Sequence, residues 1–204
     1  MQEPASTVDL PDFFSHDDDA LNRLVALVDP ALRYVDDLDP DASTYRTLVV
    51  DQHGTRRILK IRRISSNMWD DTYFQLEVLA LRRVEERNLS GVTRMVHHYC
   101  NDWYEAILKT FVAGTPGNRL DTDALLRNRE FIGKLDALYL KLHLAGIAKI
   151  KFLPRKVIIG DDGELTLVDL STCVVNTEYG IGRFVREVRD DSRFITRLEK
   201  NAMS

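Results

Sequence analysis

Apolar residues recur along the first half of the chain at two different spacings. Leu21, Leu24, Val25 and Val28 follow a run of three Asp residues at helical spacing, which predicts a first helix. After that helix, short runs rich in β-branched and aromatic residues are separated by turn residues, a pattern typical of strands. The five predicted strands cover 32–35, 45–51, 57–63, 92–99 and 103–112.

A longer helical pattern lies between the third and fourth predicted strands. It covers 70–87 and ends at the turn residues 88–91. Beyond the fifth strand, the Gly/Pro segment 113–118 predicts a linker, and the apolar pattern of the remaining chain becomes mainly helical. The predicted elements there are helices near 122–129 and 130–144, a hairpin around Gly163, and a final helix from 181 or 182 to 200.

The order of these elements predicts an α+β protein in two halves. One half is a five-stranded antiparallel sheet with one helix, and the other is a shortened, mostly helical half. The predicted parts are an N-terminal extension with one helix (1–28), a sheet-built lobe (29–112) and a truncated helical lobe (113–204). A chain of 204 residues suffices for one domain of this kind or for two small lobes.

Composition narrows the classes of function. A net charge of −4 does not favour nucleic-acid binding. The N-terminus lacks the basic start and apolar run of a signal peptide, and no segment has the roughly 18 apolar residues of a membrane span, so we expect a cytoplasmic protein. Peripheral attachment at the inner membrane stays open. Cys100 and Cys173 are expected to be reduced thiols. His97 and His98 are adjacent on a predicted strand and therefore point to opposite faces, which does not favour joint metal binding.

Residues 142–170, LHLAGIAKIKFLPRKVIIGDDGELTLVDL, resemble a protein-kinase catalytic loop that runs into the metal-binding Asp. On the kinase pattern H-R-D-L-x-x-x-N, the His falls on Lys149, the catalytic Asp on Lys151 and the Asn on Lys156. Asp169, in Asp-Leu-Ser, resembles the Asp of D-F-G, which implies a magnesium ligand. We therefore expect a kinase-like scaffold in which the proton acceptor and one metal ligand have become lysines.

Two further residues carry the resemblance. Lys60, in ILKI, is similar to the strand lysine of V-A-I-K, and Glu77 is similar to the helix glutamate that pairs with it. The resemblance implies that Lys60 holds the phosphates of a nucleotide; the alternative is a surface Lys and a solvated Glu. It spans about residues 30–200. Compactness, the segment LKTFVAGTP and the Arg-rich tail are most similar to small bacterial lipopolysaccharide-core kinases and their atypical relatives.

The chain also departs from the kinase pattern. The first strand turn, residues 36–44, reads DDLDPDAST where kinases have a glycine-rich loop, and acids repel phosphate. A cationic Lys151 cannot accept a proton, and Lys156 cannot bind a second magnesium as Asn does. Only 35 residues follow Asp169, and they contain no A-P-E motif.

Arg155 completes a basic cluster with Lys149, Lys151 and Lys156, and the cluster has two interpretations. It is either a solvated loop that pairs with Asp161, Asp162 or Glu164, or an anion-binding pocket in which lysines replace magnesium as the counter-charge to phosphate. Such a pocket would hold a nucleotide without metal, a phosphorylated sugar or an acidic partner.

Three functions follow from these observations. The first is a pseudokinase that acts as a binding or regulatory module. The second is an atypical ATP-dependent phosphotransferase on a lipopolysaccharide core sugar or a protein. The third is a two-lobed interaction protein without a nucleotide site. The candidate cofactor is ATP or another nucleotide, with or without Mg²⁺, and no catalytic residue is assigned. The candidate ligand-binding residues are Lys60, Glu77, Lys149, Lys151 and Lys156, with Asp169 as the candidate metal ligand.

Overall fold

The computed structural model describes residue 13 and residues 15–38, 45–64, 68–150 and 152–203, without the side chains of 68–71 and 177–179. Within that part the chain is an α+β protein with five α-helices and a five-stranded antiparallel sheet, as predicted. The helices are α1 Asp18–Val28, α2 Met68–Glu86, α3 Thr122–Leu125, α4 Arg129–Leu144 and α5 Asn176–Asn201. None of the described helices is long and apolar enough to cross a bilayer.

The strands form one large sheet and two small ones. The large sheet has the order β1-β2-β3-β5-β4, and its strands are β1 Leu32–Asp37, β2 Arg46–Gln52, β3 Thr55–Arg63, β4 Met95–Cys100 and β5 Tyr104–Thr110. The small sheets have the orders β6-β8-β9 and β10-β7. Their strands are β6 Thr115–Pro116, β7 Ile147–Ala148, β8 Val157–Ile159, β9 Leu165–Leu167 and β10 Val174–Val175.

The chain divides into two compact units. The first unit is Met1–Ile64 with His97–Lys109, and the second is Ser65–Val96 with Thr110–Ser204. The predicted division into an N-terminal extension (1–28), a sheet-built lobe (29–112) and a truncated helical lobe (113–204) stays a prediction.

Helix α1 covers one face of the large sheet in the first unit. The Asp17 carboxylate accepts a hydrogen bond from the Ala20 N–H and starts the helix. The strands supply the other half of the core. Successive side chains of a strand point to opposite faces of the sheet, and those on one face pack against α1. The buried residues of this core are Phe13, Leu21, Leu24, Val25, Leu32, Leu48, Val50, Leu59, Ile61, Tyr104, Ala106 and Leu108. The first unit thus has its own apolar core between one helix and one sheet.

The turn residues between the second and third predicted strands form a tight turn. His53 and Gly54 both have positive φ, 53° and 80°, and Gln52 pairs with Thr55 across the two-residue loop. This is the turn geometry that matches the twist of a hairpin, and Gly adopts it without strain.

The second unit is built on the packing of α4 with α5, β7 and β9. The Asn128 side chain caps α4 by accepting from the Glu130 and Phe131 N–H groups. The hairpin predicted around Gly163 is confirmed as β8 and β9, with φ 75° at Gly163. In α5, Gly180 has φ 72° and ψ 156°, so regular helix runs from Ile181, where the sequence predicted its start.

Several predicted bounds are wrong. The fourth strand begins at Met95 and not at 92, because Val92 forms a parallel bridge with Leu167 in the second unit. The fifth strand ends at Thr110, and the helix expected over 122–129 ends at Leu125.

Candidate functional site

Lys156 and Asp169 form an ion pair inside the second unit. A short 3₁₀ turn, Pro154–Lys156, precedes β8, and Asp169 follows β9, its hairpin partner. The Val168 N–H donates to the Lys156 carbonyl, which aligns the two segments. Lys156 Nζ lies 3.0 Å from Asp169 Oδ2. The hairpin therefore places the two side chains together.

The remaining oxygen of Asp169 is bound by the backbone. Asp169 Oδ1 accepts a hydrogen bond from the Ser171 N–H at 2.7 Å. Lys156 is buried, whereas the Asp169 side chain is 21% exposed. Both oxygens of this carboxylate thus have a donor supplied by the chain itself.

The charges of Glu77, Asp169 and Lys156 all act on the thiol of Cys173. Burial raises the pKa of the Cys173 thiol, and the negative charges of Glu77 and Asp169 raise it further, while Lys156 opposes them. Cys173 is 1% exposed and Glu77, on α2, is fully buried. We call Glu77, Lys156, Asp169, Ser171 and Cys173 the carboxylate–lysine cluster. The thiol in this cluster stays protonated at neutral pH, so it is not a nucleophile.

A second network fixes the backbone that leads to residue 151. Asp191 of α5 accepts hydrogen bonds from the Ile150 N–H at 3.1 and 3.2 Å, and His143 Nε2 of α4 lies 2.9 Å from Asp191 Oδ2. The Tyr139 hydroxyl donates to the Ile150 carbonyl, and burial raises the pKa of Tyr139, which keeps it a donor. Both backbone groups of Ile150 are therefore held by helices.

The backbone next to this anchor is strained. Lys149 has φ 58°, a left-handed conformation that non-glycine residues seldom adopt, and its side chain is exposed. The anchored Ile150 holds that conformation in place. Lys151 lies outside the described residues.

The basic residues of this loop do not act as one group. Lys156 is buried against Asp169, whereas Lys149 and Arg155 are exposed. Glu164, one of the acids considered as a loop partner, instead pairs with Lys134 at 3.3 Å. The interpretation in which Lys156 pairs with the hairpin acids is therefore wrong, because its partner is the Asp that follows the hairpin.

Lys60 belongs to the first unit. It is 3% exposed, and its Nζ lies 4.1 Å from the centroid of the Tyr45 ring, a cation–π distance. Lys60 and Glu77 are thus both buried, and the alternative of a surface Lys with a solvated Glu is wrong for this chain.

The sheet carries further buried charges that the sequence reasoning did not assign. Arg62 Nε donates to Glu105 Oε2 at 2.9 Å, and His98 Nε2 lies 2.8 Å from Glu105 Oε1. Lys60 and Arg62 share one face of β3, Glu105 and Lys109 share one face of β5, and all four are buried. Charged residues at even spacing within an otherwise apolar strand, two positions apart in β3 and four apart in β5, are the signal that could have found them.

The described residues hold no group of three or more His, Cys, Asp or Glu side chains arranged for a metal ion. Within the carboxylate–lysine cluster the carboxylates are Glu77 and Asp169, and the cation beside Asp169 is Lys156. The role of Asp169 as a metal ligand stays a prediction.

No protein-family model matches the chain, and a search of curated proteins gave no match. The structure defines the chain as an α+β protein. Its second unit carries a carboxylate–lysine cluster and a helix-anchored loop beside residue 151.

Proposed function

We propose that this chain is a kinase-like protein without kinase chemistry, a pseudokinase that acts as a binding or regulatory module. The observation that carries the proposal is the ion pair between Lys156 Nζ and Asp169 Oδ2 at 3.0 Å. The kinase resemblance assigns these two positions to the residues that bind magnesium in active enzymes.

The chemistry of the pair supports loss of metal dependence. Magnesium is bound by oxygen ligands, and a Lys ammonium has donors only. A divalent cation at Asp169 would have to approach an ammonium that already contacts the same carboxylate, and like charges at contact distance repel strongly in a protein interior. The Lys156 side chain thus supplies, from within the chain, the positive charge that a metal supplies in a kinase.

The lysine at 151 removes the second part of kinase chemistry. An active kinase uses an Asp there to accept the proton of the substrate hydroxyl. A Lys is protonated at neutral pH and cannot take that proton. The proposed module therefore binds its ligand and does not transfer a phosphoryl group.

The ligand that we propose is a nucleotide or another phosphorylated small molecule, bound without a divalent metal. Lys60 is the residue that the kinase resemblance assigns to the phosphates of such a ligand, and its ammonium lies in the interior beside the Tyr45 ring. The presence of buried Lys60 and Glu77 fits the second candidate, an atypical phosphotransferase, equally well. A single set of measurements separates the two.

The test combines thermal melts with a phosphotransfer assay. ATP, ADP and GTP are each added with EDTA, with Mg²⁺ and with Mn²⁺. A ligand of the native state raises the melting temperature. We expect a nucleotide to stabilise the chain equally with EDTA and with Mg²⁺, and no label to reach broad acceptors. Turnover that disappears in Asp169→Ala would overturn the pseudokinase and establish the phosphotransferase.

Three variants sharpen the result. Lys60→Ala is expected to abolish the nucleotide shift, whereas Lys134→Ala, which removes a surface ammonium paired with Glu130 and Glu164, leaves it unchanged. Lys156→Asn replaces the ammonium by an oxygen ligand and is expected to make stability respond to Mg²⁺. A wild-type chain that responds to Mg²⁺ as strongly as this variant contradicts the role assigned to Lys156.

A further inference from the structure

Helix α5 presents a continuous line of basic side chains on the surface of the second unit. Its members follow one another at intervals of three or four residues, so on a helix they fall within an arc of about 120° and a length of roughly 26 Å. They are Arg183, Arg186, Arg189, Arg193, Arg197 and Lys200. All except the half-buried Arg183 are exposed. We call this set the α5 basic face.

Few acids balance this face. Arg193 pairs with Asp190 at 3.2 Å, and Arg183 Nε lies 4.0 Å from Glu187. No ion pair between described residues engages Arg186, Arg189, Arg197 or Lys200. In a chain of net charge −4, a row of this kind is a strong segregation of charge.

The opposite side of α5 is already used by the fold. Asp191, Ile195 and Leu198 are buried, and α5 packs along α4, β7 and β10. The helix therefore lies flat on the second unit, with its apolar face inward. Because that face is occupied by the fold, α5 cannot insert it into a membrane.

Exposed aliphatic side chains border the basic face. Ile181 is 77% exposed and Val185 is 49% exposed, and both lie within about a quarter turn of Arg189 around the helix. Exposed apolar side chains beside cations are suited to the interface of a bilayer, where headgroups are anionic and the layer beneath them is apolar.

We propose that the α5 basic face docks the protein on a membrane surface that contains anionic phospholipid. Five of its six cations are Arg, whose planar guanidinium matches the oxygens of a phosphate group. Single-stranded nucleic acids stack their bases on open aromatic rings. Among the described side chains of α5, Phe184 is half-buried and the ring of Phe194 packs on Phe152 at 6.0 Å, so neither offers an open ring. Attachment is electrostatic, with a smaller contribution from Ile181 and Val185. This proposal is independent of the nucleotide site.

The test is sedimentation of the full chain with large vesicles. One set of vesicles is phosphatidylcholine alone, and the other contains about one third phosphatidylglycerol. We expect binding to the second set alone, and we expect high salt to weaken it. Equal binding to both sets, or binding to neither, overturns the proposal.

A matched pair of variants locates the surface. Arg186→Gln with Arg189→Gln and Arg197→Gln removes three charges from the α5 basic face. Arg63→Gln with Arg87→Gln and Arg127→Gln removes three exposed charges elsewhere, so both variants have the same net charge. Each cation near an anionic bilayer contributes roughly a factor of five, so we expect the first variant to bind on the order of 100-fold more weakly and the second to bind as the wild type does. An equal loss in the two variants overturns the assignment to α5.

Two further measurements test the apolar contribution and the competing class of ligand. Ile181→Ser with Val185→Ser is expected to lower the binding that survives high salt and to leave the melting temperature unchanged, since both side chains are exposed.

The wild-type chain is also titrated with single-stranded and duplex oligonucleotides. Tighter binding to an oligonucleotide than to anionic vesicles, lost in the α5 variant, would identify the face as a nucleic-acid surface and overturn the lipid assignment.

Discussion

Lys156 Nζ lies 3.0 Å from Asp169 Oδ2, although 12 residues and a hairpin separate the two in sequence. The ammonium is buried and the carboxylate is partly exposed, so the pair is neither a surface contact nor a fully desolvated one. Its value for stability is set mainly by the cost of leaving one charge without the other.

Loss of Lys156 alone should destabilise the second unit. In Lys156→Met, Asp169 keeps the Ser171 N–H and loses its cation, and we expect the free energy of unfolding to fall by about 1–3 kcal/mol, less than for a fully buried pair because Asp169 reaches solvent. Guanidinium unfolding measures the change. The double variant with Asp169→Asn should recover much of it. Lys134→Met, which breaks surface pairs, should cost less than about 0.5 kcal/mol, and an equal loss there contradicts this account.

Asp191 and its neighbour Asp190 provide a second matched comparison. Asp191→Asn weakens the bonds to the Ile150 N–H and to His143, whereas Asp190→Asn loses a contact with exposed Arg193. We expect about 2 kcal/mol of destabilisation for Asp191→Asn, since hydrogen bonds to a buried charge are among the strongest, and almost none for Asp190→Asn. Chemical denaturation of both variants decides, and similar midpoints would show that the anchor is unimportant.

The contact between Asp29 and Tyr99 should make stability depend on pH in the acid range. The Ala31 N–H and then the Tyr99 hydroxyl lower the pKa of Asp29 below its ordinary 3.8. A carboxyl with a lowered folded pKa stabilises the native state above its unfolded pKa, and that stability is lost as the pH falls through the folded pKa.

Tyr99→Phe should therefore cost about 1 kcal/mol at neutral pH and less below about pH 4, where the carboxyl is protonated in the unfolded chain. Urea unfolding over a pH series measures this difference. Tyr73→Phe, which alters a ring that is 50% exposed, serves as the control. A cost for Tyr99→Phe that does not change with pH would assign the effect to packing of the ring.

The two cysteines should differ sharply in reactivity. Cys100 is exposed at the edge of a cavity of about 290 Å³ that His97, Asn101 and Tyr104 also line, whereas Cys173 is 1% exposed with a raised pKa. A thiol reagent at neutral pH should modify one thiol per chain in buffer and two in guanidinium. In Cys100→Ser the native chain should not react. Rapid modification of that variant would show that the carboxylate–lysine cluster opens to solvent.

Turn chemistry and alternation predicted most of the elements. Gly54 and Gly163 marked the two hairpins, and the spacing of apolar residues marked α1, α2 and α4. The kinase resemblance singled out Lys156 and Asp169, which the structure brings into contact. These signals are local, and they survive in a single sequence because each depends on neighbouring residues.

The features that escaped prediction depend on distant partners. Val92 leaves the sheet because its backbone pairs with Leu167, and Phe13 is buried because its ring meets Tyr104. Asp191 stands in the apolar face of α5, where its acceptor role depends on the Ile150 N–H of a loop 41 positions away. Neither composition nor residue spacing identifies such distant partners. The place of Cys173 in the carboxylate–lysine cluster also depends on a distant partner, Glu77, and the sequence did not indicate it.

The cover that α1 forms over the large sheet also constrains how the chain matures on the ribosome. Leu24 and Val25 share a core with Tyr104 and Leu108, which are synthesised roughly 80 residues later, or several seconds at ordinary elongation rates. During that interval the apolar face of α1 has no completed sheet to pack against. The acidic residues Asp17–Asp19 lie directly at the start of this helix, where charges that flank an apolar segment oppose its self-association.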